Sequence, residues 1–95
     1  MKIIWSDNAI ADYHQNIGYL LNQWSAEIAE GFINDVEEVL GLILVYPQLY
    51  PTSEIKDIRK AVIRKQITLF YKIEGDDIFL VRFWNNHQDP KNLTL

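Results

Sequence analysis

Three arginines and one histidine are the side chains of this sequence best suited to act on a phosphodiester. Arg59, Arg64 and Arg82 lie on adjacent predicted strands, Arg59 and Arg64 on one and Arg82 on the other, and His87 follows the last one. Guanidinium groups bind phosphate bidentately and stabilise the charge that builds up in phosphoryl transfer. Histidine can carry a proton at neutral pH. A metal-free ribonuclease would use such a set, and would also need a second acid or base, for which Glu54 and Asp89 are the nearest choices. Read without that chemistry, the four residues are arginines on the surface of a sheet and a histidine in a tail. The residues alone favour this plainer reading. The remaining reactive types point to no other centre. Cysteine is absent, which removes thiolate nucleophiles, disulfides and Cys-ligated metals. Glycine-rich phosphate loops and the G-x-S-x-G elbow are also missing. His14 has no acidic or His partner at i+4. His87 and Asp89, even with Asp76 or Asp77, are too few and too weak to predict a metal site. No cofactor and no metal is therefore expected.

Elements that could position these residues are legible from the spacing of apolar side chains. Lys2 to Trp5 reads as a short strand, and Ser6 or Asp7 can cap the helix after it. Ile10, Tyr13, Ile17, Leu20 and Trp24 recur at helical spacing and predict the buried face of that helix. Ser25 can cap a second helix, whose predicted core face is Ala29, Phe32, Val36, Val39, Leu40 and Ile43. A junction this short between helices requires an antiparallel hairpin. Pro47 ends the second helix, because it lacks an N–H and forces Tyr46 out of helical angles. From Ile58 the period becomes two. Ile58 to Arg64, Ile67 to Ile73 and Ile78 to Trp84 read as strands, with a turn at Glu74-Gly75-Asp76-Asp77. The last strand is apolar on both faces except at Arg82, which predicts a central position. Trp5, Trp24 and Trp84 are expected as core anchors. The predicted fold is α+β in the order β-α-α-β-β-β, an antiparallel helical hairpin packed on one face of a mostly antiparallel sheet.

The 95 residues form one predicted domain, spanning 1–95. Charge is distributed unevenly along it. Residues 1–50 carry one cation, Lys2, against seven anions, whereas residues 56–72 carry six cations against Asp57 alone. The net charge of −4 argues against a surface that grips nucleic acid all round. The basic band leaves room for a local anionic contact, and otherwise serves as solvated charge that protects strand edges. The longest uncharged stretch, residues 39–53, contains Pro47 and Pro51 and is too short to suggest a membrane span. Cysteine-free and without a signal-like N-terminus, the chain is expected in the cytoplasm.

In order and spacing, the motifs resemble those of the RelE/ParE superfamily of type II toxin–antitoxin toxins, also called plasmid-stabilisation proteins. The similarity runs through Trp5-Ser6-x-x-Ala9-x-x-Asp12, Ala29-x-x-Phe32, Pro47-x-x-Tyr50-Pro51 and Arg59-Lys60. It continues in Ile67-Thr68-Leu69-Phe70-Tyr71-Lys72-Ile73 and ends in Phe83-Trp84-Asn85-Asn86-His87-Gln88-Asp89-Pro90. The resemblance implies the β-α-α-β-β-β fold and one of two actions. RelE-like members cut mRNA on the ribosome with a basic cluster, often aided by a C-terminal tyrosine. ParE-like members inhibit DNA gyrase. Here Thr68 stands where RelE-like members often place arginine, His87 stands near the end where many carry arginine, and no tyrosine follows Tyr71. These departures favour the ParE-like branch, with gyrase as target. The alternatives are a ribosome-dependent endoribonuclease using Arg59, Arg64, Arg82 and His87, or a non-toxic interaction module. The resemblance also implies a cognate antitoxin whose C-terminal segment wraps the toxin. Tyr46, Leu49 and Tyr50 are candidate contacts for it, and serve equally well to close the foot of the chain's own core.

Overall fold

The computed structural model describes residues 1–55 and 57–95; Lys56, counted above in the basic band, lies outside the described residues. Element order is β1 (Lys2–Trp5), α1 (Asp7–Gln23), α2 (Ala26–Val45), β2 (Arg59–Arg64), β3 (Ile67–Glu74) and β4 (Asp77–Asn85), followed by a 3-10 turn at Pro90–Asn92. Ser6 caps α1 by accepting the Ala9 N–H, and Ser25 caps α2 by accepting the Ile28 N–H. Each hydroxyl satisfies a donor that the first helical turn leaves free. The four strands lie in the order β1-β4-β3-β2. β3 is antiparallel to both its neighbours and β1 runs parallel to β4. β4 is central as expected. Gly75 takes φ 61° in the turn that joins β3 to β4, a conformation that costs glycine little.

One sheet face carries the hairpin. Phe32, Val36 and Ile43 of α2 meet Ala61, Leu69, Tyr71, Ile78, Leu80 and Phe83 in a closed core. On the other face a smaller cluster of Ile58, Phe70 and Trp84 is covered by Leu93 of the tail, with Val81 beside it. Tyr71 is fully buried, and its hydroxyl crosses the foot of the core to donate to the Pro47 carbonyl at 2.9 Å.

α1 is rotated relative to the expectation. Its buried residues are Ala9, Asp12, Asn16 and Leu20, with Tyr13 and Ile17 packed against the core. Ile10 is 41% exposed and Trp24 63%, so neither belongs to the buried face and Trp24 is not a core anchor. Trp5 and Trp84 are packed as expected, Trp5 against the main core and Trp84 in the second cluster. At 100° per residue the helix is turned by about 50°. The cause is backbone chemistry at β4. β1 pairs with β4 only as far as Trp5–Leu80, while β4 continues to Asn85. The unpaired edge needs polar partners, and α1 supplies them. Ser6 N–H donates to the Leu80 carbonyl and Ser6 Oγ to the Val81 carbonyl. Asp12 accepts the Phe83 N–H at 3.1 Å, and Asn16 donates to the Phe83 carbonyl at 3.2 Å. Arg82 completes the arrangement by donating from Nε and Nη2 to the two Asp12 oxygens, at 2.6 and 2.9 Å.

Both partners of this ion pair are largely buried, their side chains 14% and 10% exposed. Removing one partner leaves an uncompensated charge. Asp12→Ala is therefore expected to destabilise the fold by about 3–5 kcal/mol, read as a lower urea midpoint. Asp12→Asn keeps an acceptor for the Phe83 N–H and is expected to lose clearly less. The phenols supply a second expectation. Burial raises the titration of Tyr71 above its ordinary value, opposed in part by Arg59, and burial followed by Glu37 raises that of Tyr13. Each group holds its proton more tightly in the folded state, so its contribution is full below the unfolded value of 10.0 and fades as pH rises beyond it. Denaturation midpoints measured from pH 8 upward are expected to fall above pH 10, and less steeply in Tyr71→Phe.

Candidate functional site

At the C-terminal end of α2 the chain leaves the core and exposes a run of large apolar side chains. Pro47 stops the helix, and the Tyr46 N–H closes its last turn on the Leu42 carbonyl at 2.7 Å. Val45 is 66% exposed, Tyr46 60%, Leu49 54% and Met1 57%. Together with Pro47, Gln48 and Ile73 they line a groove of about 460 Å³ between the end of α2 and the start of β1. Of the three residues the sequence singled out here, Tyr46 and Leu49 line this groove, while Tyr50 turns inward against the core.

The loop is held by two clamps. Arg59 Nη1 donates to the Tyr50 carbonyl at 2.7 Å and reaches the Gln48 carbonyl at 3.4 Å. Tyr71 holds the Pro47 carbonyl. Main-chain bonds from Ser53 N–H to the Ile58 carbonyl and from Lys60 N–H to the Pro51 carbonyl zip the end of the loop to the start of β2. A loop fixed at both ends presents Tyr46 and Leu49 in one arrangement, which lowers the ordering cost of binding.

The four residues considered for phosphoryl chemistry are placed apart. Arg59 and Arg64 share β2, but Arg82 is on β4 and β3 lies between, so the two strands are not adjacent as the sequence reading had them. Arg59 stands five residues before Arg64, about 16 Å along an extended strand. His87 follows the far end of β4, beyond Asn85, whose register partner Ile67 pairs with Arg64. Arg59 is thus at the opposite end of the sheet from His87. Each guanidinium also has a partner within the chain. Arg64 Nε donates to Asp35 at 2.8 Å and lies against α2 at Gly31, where a Cβ would stand 2.5 Å from its Nη2. Arg82 is held by Asp12 and makes longer contacts to the Thr94 hydroxyl and carbonyl. The Asp12 hydrogen bonds raise its proton affinity further above the ordinary arginine value. His87 is exposed, and its backbone N–H donates to Asn85 Oδ1. Among the described residues no group of three or more His, Asp or Glu side chains could hold a metal. Among the described residues no helix is long and apolar enough to cross a membrane.

Sequence reasoning missed the contributions of Met1 and Val45 to the groove. Val45 carries a usable signal, since it continues the helix pattern on the side opposite Val36. Met1 carries none, because its approach to the loop is set by β1.

The chain is similar to the structure described as the chromosomal ParDE toxin–antitoxin system from P. aeruginosa. The TM-score is 0.75 and the identity 23%, covering 90% of this chain and 95% of that one. It is similar to the YoeB dimer from Staphylococcus aureus (TM-score 0.65, 16% identity, 88% and 94% covered). It is also similar to the heterotetrameric YoeB–YefM toxin–antitoxin complex from the same organism (TM-score 0.61, 17% identity, 86% and 92% covered). No curated protein matches it in sequence. The family model described as the ParE toxin of the type II toxin–antitoxin system parDE matches residues 3–90. Covering both helices, β2 to β4 and all of β1 but Lys2, that match settles the family: the chain belongs to the ParE toxins of type II toxin–antitoxin systems.

Proposed function

We propose that this toxin acts by binding a protein target in the cytoplasm, DNA gyrase, and that a cognate antitoxin neutralises it by seating apolar side chains in the groove at Tyr46 and Leu49. The observation that carries the first part is the commitment of the arginines. Arg59, Arg64 and Arg82 each hold a carbonyl or carboxylate of the chain itself, and Arg59 stands at the opposite end of the sheet from His87. A phosphate-clamping site needs guanidiniums with free, convergent donors. The negative total charge works in the same direction, since general attraction to ribosomal RNA would be weak at physiological salt. A protein target makes no such demand.

Support for the antitoxin contact comes from the groove and from the sheet edge. Tyr46 and Leu49 are large apolar groups held outward on a pinned loop, the kind of surface that marks an interaction site. β2 is an edge strand with Val62 62% exposed, and a disordered segment can extend such an edge while laying apolar anchors in a groove. Two of the similar structures are described as toxin–antitoxin assemblies.

Induced expression in a host lacking the antitoxin is expected to arrest growth, with gyrase–DNA cleavage complexes and a DNA-damage response. His87→Ala is expected to retain both. Ribosome-associated mRNA cuts that disappear in His87→Ala would replace gyrase by mRNA as the target. Arg82→Ala is uninformative here because it also unlatches the fold. For the antitoxin contact, Leu49→Asp is expected to weaken neutralisation by at least tenfold in antitoxin titrations, about 1.4 kcal/mol or more, with little change in thermal stability because the side chain is already exposed.

A further inference from the structure

α2 changes chemical character along its solvent face in a way that specifies what can lie on it. Successive 100° steps place Glu27, Asn34, Glu38 and Val45 on one outward line, with Glu30 and Gly41 beside it. All of these positions are exposed. The N-terminal part of the line is anionic and the C-terminal part apolar, running directly into the groove of Val45, Tyr46, Leu49 and Met1. Residues 3–55 contain neither lysine nor arginine, so the hairpin has no cation of its own to offset these acids, and Arg64, which reaches α2 at Gly31, is paired with Asp35. The two acids that the sheet does neutralise, Asp12 and Asp35, are paired with Arg82 and Arg64. Among the described residues Glu27, Glu30, Glu37 and Glu38 form no salt bridge.

We infer that the occupant of this surface is a cationic amphipathic segment of the antitoxin, with apolar anchors in the groove and Lys or Arg side chains running back along α2. This rests on the antitoxin reading above and adds the polarity of the partner. Val45 lies seven residues, about 10 Å, beyond Glu38 on the same face, so a segment anchored in the groove meets the carboxylates within two turns. That separation is comparable to the screening length at physiological salt, so an anionic segment would be repelled and a cationic one held. In sequence the toxin's own cations beyond Lys2 come from Lys56 onward, and of these Arg64, already paired with Asp35, is the one that the contacts place on α2, which gives an acidic partner little counter-charge along the helix.

Two synthetic peptides of about 18 residues, long enough to form a helix on docking, test the polarity directly. They share leucines at helical spacing and differ only in carrying Lys or Glu elsewhere. Against the full-length toxin at low and physiological salt, the lysine peptide is expected to bind at least tenfold tighter, and to weaken as salt rises. Glu30→Lys combined with Glu38→Lys is expected to erase or reverse that preference. Val45→Asp adds negative charge yet is expected to weaken the lysine peptide, because it removes the anchor. Thermal midpoints check that both variants fold. Equal binding of the two peptides, preference for the glutamate peptide, or stronger lysine-peptide binding to Val45→Asp would overturn the inference. A self-association lost in Val45→Asp would overturn it too, assigning the groove to a second copy. If the antitoxin neutralises wild type and Glu30→Lys/Glu38→Lys alike while Leu49→Asp escapes, the polarity fails and the antitoxin reading stands. If Leu49→Asp is neutralised as well as wild type, the reading itself fails.

Discussion

The fold depends on how the unpaired stretch of β4 is satisfied. β1 has only four residues, and beyond its end the Phe83 N–H and carbonyl would face the interior without partners. Buried backbone groups in that condition cost as much as a lost hydrogen bond each, and often more. α1 resolves this with side chains instead of a strand. Asp12 and Asn16, one helical turn apart, take the donor and the acceptor of the same residue. Once a carboxylate has been placed there, Arg82 is needed to balance it. The ion pair is therefore a consequence of where β1 stops. It also fixes the rotation of α1, and through the α1–α2 hairpin the seat of α2 on the sheet. A buried ion pair is a poor source of net stability by itself. Its contribution here is geometric, because no apolar pair could also bond the Phe83 backbone.

This explains which parts of the structure could be read in the sequence. β3 falls where its period of two places it, although it is buried on both faces from Ile67 to Tyr71 where alternation predicts one, and Gly75 marks its turn. Ser25 and Pro47 delimit α2, and the α2 face from Ala29 to Ile43 is buried as its spacing predicts. These features are set by local chemistry and a one-sided hydrophobic surface. α1 was misread because its inner face is partly polar. A pattern read by hydrophobicity turns Asp12 and Asn16 outward and turns Ile10 and Trp24 inward, and only the neighbouring strand edge reverses that choice. The motif Trp5-Ser6-x-x-Ala9-x-x-Asp12 did contain the information. Trp5 closes β1, Ser6 caps the helix and bonds β4, Ala9 is fully buried, and Asp12 binds Arg82.

The arginines show the same limit from the other side. Residue type says that a guanidinium can clamp phosphate, but not that another part of the chain already occupies it. Arg59, Arg64 and Arg82 each tie the sheet to something outside it: a loop, α2, or α1 and the tail. Three long cations used as cross-braces suit a small domain that has limited apolar area to bury. With these guanidiniums engaged inside the chain, the proposed recognition falls to the end of α2 and the loop after it.

That division of labour accounts for the charge asymmetry of the sequence. Of the paired cations from residue 59 onward, Arg64 and Arg82 satisfy acids of the hairpin, Arg59 braces the loop and Lys72 meets Glu74 within β3, and the acids without a salt bridge on α2 are exposed. The anionic face could have been neutralised by lysines at i+4 within α2, an arrangement helices use freely. Its absence over the whole hairpin leaves Glu27, Glu30, Glu37 and Glu38 without a salt bridge among the described residues, so in the proposed contact their field would steer approach and reject partners of like sign. Apolar anchors alone would admit many amphipathic segments. In the proposed contact a groove bordered by carboxylates without a salt bridge would admit those that bring the complementary charge, with discrimination among closely related partners in α2 and depth of binding in Tyr46 and Leu49.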